Sequence, residues 1–326
     1  MSVETKRNGG DLAARRKRPL PSIVWASVAL VAAAAFGVHG FASRANLVDI
    51  GLQIAILVMI AMPMTLVILS EGLDLSVGAL LSLCGVVFAQ SLGAGAGIGG
   101  ALGAAAAVGI AIGFLNGTLV ARLGLPPFVV TLGTLGVAHG VALVMTDGNA
   151  VVVTNPAVGV LYGSSVLGVP FPIACALAAY AVTHLLLYHT RFGAYVFAIG
   201  GNRDALTLAG VRARVHHVAI YVMSGLFAGL AALLLVGRMN SAEPNAAIGM
   251  EFDAIAAVVL GGTSFERGEG WLPGTAIGVL TIGVLRNALN LVGIESSLQV
   301  VTIGLLVLAV VVIDSVRQSR VAGAQA

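Results

Sequence analysis

A chain of 326 residues is long enough for two soluble domains, yet 58% of it is hydrophobic, 10% is charged and its mean hydropathy is +1.02. Soluble chains carry roughly 25% charged residues, so this balance excludes an ordinary soluble enzyme and indicates a polytopic helical membrane protein. The net charge of +3 is small, and eight of the 31 charged side chains precede Pro19, which leaves no basic surface for nucleic acid.

Uncharged stretches of about 20 residues mark membrane spans. In chain order they run from Pro19 to Ser43, from Ile50 to Ser70, twice within Leu75 to Ala121 on either side of the glycine-rich Gly93–Gly100, and from Leu123 to Thr146. A polar connection holding Asn149, Asn155, Pro156 and Ser164 follows, and then spans at Val166–Tyr188, Val215–Gly237, Ala254–Phe265, Trp271–Val292 and Leu298–Ile313. The Ala254–Phe265 stretch is short, at 12 uncharged residues. Ten spans put both termini on one side. With that side cytoplasmic, 14 of the 17 basic residues lie inside, Arg44 and Arg238 lie outside, and Arg286 falls within the membrane. The chain thus divides into a basic tail over 1–18, a membrane domain over 19–314 with an internal cytoplasmic segment over 189–217, and a tail over 315–326.

An offset of 171 residues aligns Val129, Val130, Thr131, Gly133 and Leu135 with Val300, Val301, Thr302, Gly304 and Leu306, and pairs Asn116 with Asn287. This predicts that spans 2–5 and 7–10 are copies, inverted because five spans separate them, a common construction in transporters. The same offset pairs the third span, preceded by Glu71, Gly72 and Asp74 and opening with Ser76 and Gly78, with the short eighth, preceded by Glu251 and Asp253 and closing on Gly261 and Gly262. Short or glycine-interrupted spans at matching places point to a transport pathway, and acids there also suit helix N-termini. Glycines recur every fourth residue at 109, 113 and 117, at 270, 274 and 278, and at 225 and 229. Such stripes let helices approach closely, within one subunit or at a dimer seam.

An amide side chain can both donate and accept hydrogen bonds without carrying a charge, which suits a transport pathway. Asn116, Asn287, Asn290 one turn beyond, and the pair Thr131 and Thr302 are therefore the candidate pathway residues; bridging between helices is the competing role. Cys84 and Cys175 lie in apolar runs and read as small buried hydrophobes. Lys6 and Lys17 are the sole lysines and neither follows a glycine, so the phosphate-binding pattern GxxxxGK[ST] is absent and ATP chemistry would reside on another polypeptide. No HExxH or GxSxG pattern suggests an enzyme.

Between His189 and His217, Gly200, Gly201, Asn202 and Asp204 open a stretch of about two helical turns ending at Gly210. Asn202 or Asp204 would cap it and Ala205, Leu208 and Ala209 would give it an apolar side, suited to docking in a partner's groove. This segment, with EGLDLSVGALLSLCG over 71–85, GFLNGTLVARLGLPPFVVTLGTLGVAHG over 113–140 and AVVLGGTSFERGEGWLPGTAIGVLTIGVLRNALNLVGI over 257–294, resembles the sugar-type, ribose-transport permeases of bacterial ABC importers. The resemblance covers the chain after residue 45. It implies an all-helical permease that dimerises in the inner membrane, binds two ATPase subunits through the segment around Gly200–Gly210, and receives a monosaccharide or similar polyol from an extracytoplasmic binding protein. ATP and Mg would be held by the partner ATPase, with no cofactor on this chain. An ion-coupled secondary transporter and a permease for branched-chain amino acids are the alternatives. The first would need ionisable groups deep in helices, for which Arg286, His139 and His184 are the candidates.

Overall fold

A computed structural model describes residues 22–264, 268–295, 297–306 and 308. The basic tail, the C-terminal tail, the end of the tenth expected span beyond residue 308 and the loop residues Phe265–Arg267 lie outside the described residues.

The spans expected from the sequence correspond in order to α1 (Ser22–Gly37), α2 (Arg44–Leu69), α3 (Val77–Gly93), α4 (Ile98–Ala121), α5 (Pro127–Thr146), α7 (Phe171–His189), α9 (Ala213–Met239), α10 (Met250–Leu260), α11 (Leu272–Leu291) and α12 (Ser297–Leu306). Two further helices lie in the connections. The seven-residue α6 (Pro156–Tyr162) has Pro156 at its start and Asn155 accepting from the Ala157 amide. The second, α8 (Arg191–Leu208), is longer than the two turns expected there. Six helices, α2, α4, α5, α7, α9 and α11, are long and apolar enough to cross a membrane.

Short strands close one end of the bundle. Val151–Val152 pairs antiparallel with Ser241–Ala242, and Ser165–Val166 with Val169–Pro170. The latter hairpin turns at Leu167 and Gly168, both with positive φ, as a tight two-residue connection requires.

At the centre stands α2, buried continuously from Met59 to Leu69. It packs against α7, α9, α10 and α11, while α9 also takes α3 and α4. The 171-residue offset maps α2 onto 215–240, α3 onto 248–264 and α4 onto 269–292, and the observed α9, α10 and α11 occupy those intervals. The packing repeats too. Helix α3 lies on α4 as α10 lies on α11, α4 on α9 as α11 on α2, and α3 on α9 as α10 on α2. Two copies are therefore interlocked, each completing the other's core.

The glycine stripes make this interlocking close. A methyl group at Gly109 would strike the Gly225 carbonyl, one at Gly113 the Tyr221 carbonyl, and one at Gly117 would lie 2.8 Å from the Val218 Cα. On the other side Gly274 faces the Gly261 carbonyl and Gly278 the Ala257 carbonyl. Both stripes are seams within the chain, which assigns their glycines to internal packing. Cys84 is buried and donates to the Ala105 carbonyl, and Cys175 is half-buried; both are free thiols.

Candidate functional site

Among the described residues, three buried polar clusters contain acids or amides singled out from the sequence. The first lies in the connection between α2 and α3. Asp74 is 2% exposed; its Oδ1 accepts from the Ser76 amide at 3.0 Å and the Ser76 hydroxyl at 2.6 Å, and its Oδ2 accepts from the Ser224 hydroxyl at 2.7 Å. The Asn116 amide nitrogen donates to the Ser76 oxygen at 2.9 Å. A buried carboxylate is tolerated where several donors replace its water, and here they come from the connection itself and α9, with α4 joined through Asn116. Asp74 thus does meet the amide just ahead of α3, as an N-terminal acid should, and also ties two other helices. The Asn116 Oδ1 is buried with no hydrogen-bond partner.

The second cluster surrounds α10. Its first turn holds Glu251 and Asp253, both buried. Glu251 accepts from the Gly249 amide at 3.0 Å and rests on Gly78, where any side chain would collide with its carboxylate. One guanidinium nitrogen of Arg286 lies 2.8 and 2.7 Å from the two Asp253 oxygens, the one salt bridge among the described residues. Gly261 admits the α11 backbone and Gly262 turns the chain at φ +88°. The interrupted-helix residues therefore fall into two clusters, Asp74 and Ser76 in the first and Asp253, Gly261 and Gly262 in the second, with Gly78 of α3 packed against Glu251 of the second.

The third cluster is an amide pair. Asn287 donates to Asn46 at 2.8 Å and Asn46 donates back at 2.9 Å, with a further bond from Asn46 to the Phe41 carbonyl. Asn290 accepts from Gln299 at 2.7 Å. Thr131 and Thr302 bond the carbonyls four residues earlier, Pro127 and Leu298. The five candidate pathway residues are thus not gathered around one open cavity: Asn287 and Asn290 bridge helices, and the two threonine hydroxyls bond within their own helices. Asn46 and Ser224 were missed by sequence reasoning because no local pattern marks them. The offset does link Asn46 with His217, which places a polar residue opposite each paired asparagine.

The coupling segment departs from expectation in its hinge. Gly200 and Gly201 sit inside α8 and do not turn the chain. Gly200 instead lets α8 touch the Leu69 carbonyl and Gly268. The break falls at Asn202, at φ −165° and ψ 93°, whose side chain accepts from the Ala205 amide at 2.8 Å and so caps the second half of the helix. Leu206 anchors that half against Ile199 and Ala213. Asp204, Ala205 and Ala209 are exposed and Leu208 is 89% exposed, so the expected apolar side faces outward with no cover among the described residues. Gly210 ends the segment at φ +81°. Of the other ionisable candidates, the His139 ring bonds Asn245, and His184 stacks between Tyr180 and Tyr188.

Apolar helices in two interlocked copies, buried polar clusters joining them, and an unpartnered apolar helix face at one end define a polytopic membrane permease. Residues 46–311 match the family described as the branched-chain amino acid transport system / permease component, and the chain belongs to that family. It is 41% identical over 280 residues to the ribose import permease protein of Bacillus subtilis (strain 168), spanning 84% of this chain and 86% of the relative. The D-allose transport system permease protein of Escherichia coli (strain K12) is 37% identical over 280 residues, covering 84% of each chain. The L-arabinose transport system permease protein of the same organism is 37% identical over 298 residues, covering 90% of this chain and 89% of the relative. No solved structure matches the chain.

Proposed function

We propose that the chain is the membrane-spanning permease subunit of an ATP-driven importer for a monosaccharide or similar small polyol in the bacterial inner membrane. The observation that carries this reading is the identity of 36–41% to permeases for ribose, D-allose and L-arabinose over 84–90% of the chain. The family's own description names branched-chain amino acids, but the relatives named for sugars are similar over more than four-fifths of both chains. ATP and Mg belong to a separate ATPase that docks on Asn202–Gly210. A binding protein delivers the sugar to the opposite face, and two copies of the permease flank the route. In this reading Asn116, Thr131, Asn287, Asn290 and Thr302 exchange their present hydrogen bonds for sugar hydroxyls as the pathway opens.

The test is uptake by liposomes that contain the permease and its ATPase, with binding protein outside and ATP within. Ribose, allose or arabinose should accumulate in an ATP-dependent manner. Uptake driven by an ion gradient without ATP, or accumulation of leucine in place of the sugars, would overturn the assignment.

Both termini are proposed to be cytoplasmic. The Val151–Ala242 strand pair brings the Asn155 and Glu243 regions to one end, while Gly200, Leu69 and Gly268 meet at another place, beside α8. Cysteines introduced at Asn155 and Glu243, after replacement of Cys84 and Cys175, should react with an impermeant reagent from outside, and a cysteine at Asp204 should not. Labelling of the Asp204 position from outside would reverse or break the topology.

A further inference from the structure

A cleft of about 200 Å³ lies where α8 meets the membrane bundle. Ser70 and Glu71 after α2, Val120 at the end of α4, Ile199 and Arg203 on α8, and His217 on α9 contribute to its walls. His217 is 4% exposed and neither of its ring nitrogens has a hydrogen-bond partner. A buried imidazole without partners costs on the order of 1–3 kcal/mol per polar group left unsatisfied, so such a ring lining a cleft marks a place where a polar molecule fits.

The internal repeat sharpens this. The 171-residue offset that pairs Asn116 with Asn287 also pairs Asn46 with His217. In one copy the pair closes on itself, Asn46 and Asn287 exchanging two hydrogen bonds. In the other, both His217 nitrogens and the Asn116 Oδ1 stay open, although the helices touch there at Gly117 and Val218.

The chemistry of the walls selects the occupant. One guanidinium and one carboxylate balance in charge, which disfavours an anion or a cation as the ligand. A neutral imidazole offers one donor and one acceptor, matching a hydroxyl that does both. Val120 and Ile199 supply an apolar wall for C–H faces. We propose that this cleft binds one free monosaccharide at the α8 end of the permease, the cytoplasmic end in the orientation proposed above, and thereby ties the coupling segment to α2 and α9. The proposal rests on the importer reading, and the bound sugar would restrain coupling once product accumulates.

The permease–ATPase complex in nanodiscs without binding protein provides the test, because transport itself then plays no part. Leu125 also lines the cleft; alkylation of Leu125→Cys, in a background lacking Cys84 and Cys175, should be slowed by D-ribose, D-allose or L-arabinose. Loss of a hydrogen-bonding partner in Arg203→Leu or His217→Phe should weaken that protection roughly tenfold. Glu71→Gln, at an exposed position, provides a milder variant should the buried changes impair folding. Absence of protection by all three sugars, equal protection by inorganic phosphate, or protection unchanged in all three variants would overturn the site. The liposome assay is independent of this result: uptake without protection removes the cleft alone, and protection without ATP-dependent uptake removes the importer reading alone.

Discussion

Arg286→Leu is expected to destabilise the folded permease by roughly 3 kcal/mol, the lower end of what breaking a buried ion pair costs. The low end applies because the Arg286 side chain is one-third exposed while that of Asp253 is 10% exposed. Removing the guanidinium leaves the Asp253 carboxylate in the apolar interior at the start of α10, beside buried Glu251. The measurement is the thermal transition and the fraction of monodisperse protein in detergent. Asp253→Leu should behave alike, and the double replacement should recover most of the loss, since an apolar pair leaves no orphaned charge. Simple additivity of the two single changes would show that the salt bridge contributes nothing as a pair.

Leu208→Glu is expected to lower ATPase stimulation and uptake at least about tenfold while insertion and thermal stability stay normal. Leu208 is 89% exposed on the second half of α8, so the packing of the described residues does not depend on it. As an apolar anchor in a partner's groove it would contribute about 1–2 kcal/mol, and a buried carboxylate would cost more. This position is a cleaner probe than Gly210, where φ is +81° and any side chain strains the backbone before docking is considered. Wild-type stimulation by Leu208→Glu would remove the apolar face from the coupling contact.

The order of the apolar helices was legible in the sequence because a lipid-spanning helix must satisfy its own backbone and present about 20 apolar residues. The repeat was legible for a related reason. Its matched residues, Asn116 with Asn287 and Thr131 with Thr302, stand out against a uniform apolar background. The cap at Asn202 followed from local chemistry, since its side chain reaches an amide three residues away. The hinge glycines did not, because Gly200 is required by the backbone of Leu69, more than a hundred residues earlier in the chain. Likewise the partner of Asp253 is Arg286 and that of Asp74 is Ser224, 150 residues away. Composition and periodicity determine which segments are helices and how many polar groups they carry. Which of those groups meet, and which are left open as at His217, is decided by how closely the glycine stripes let the two copies approach, a property of packed surfaces that no local pattern encodes.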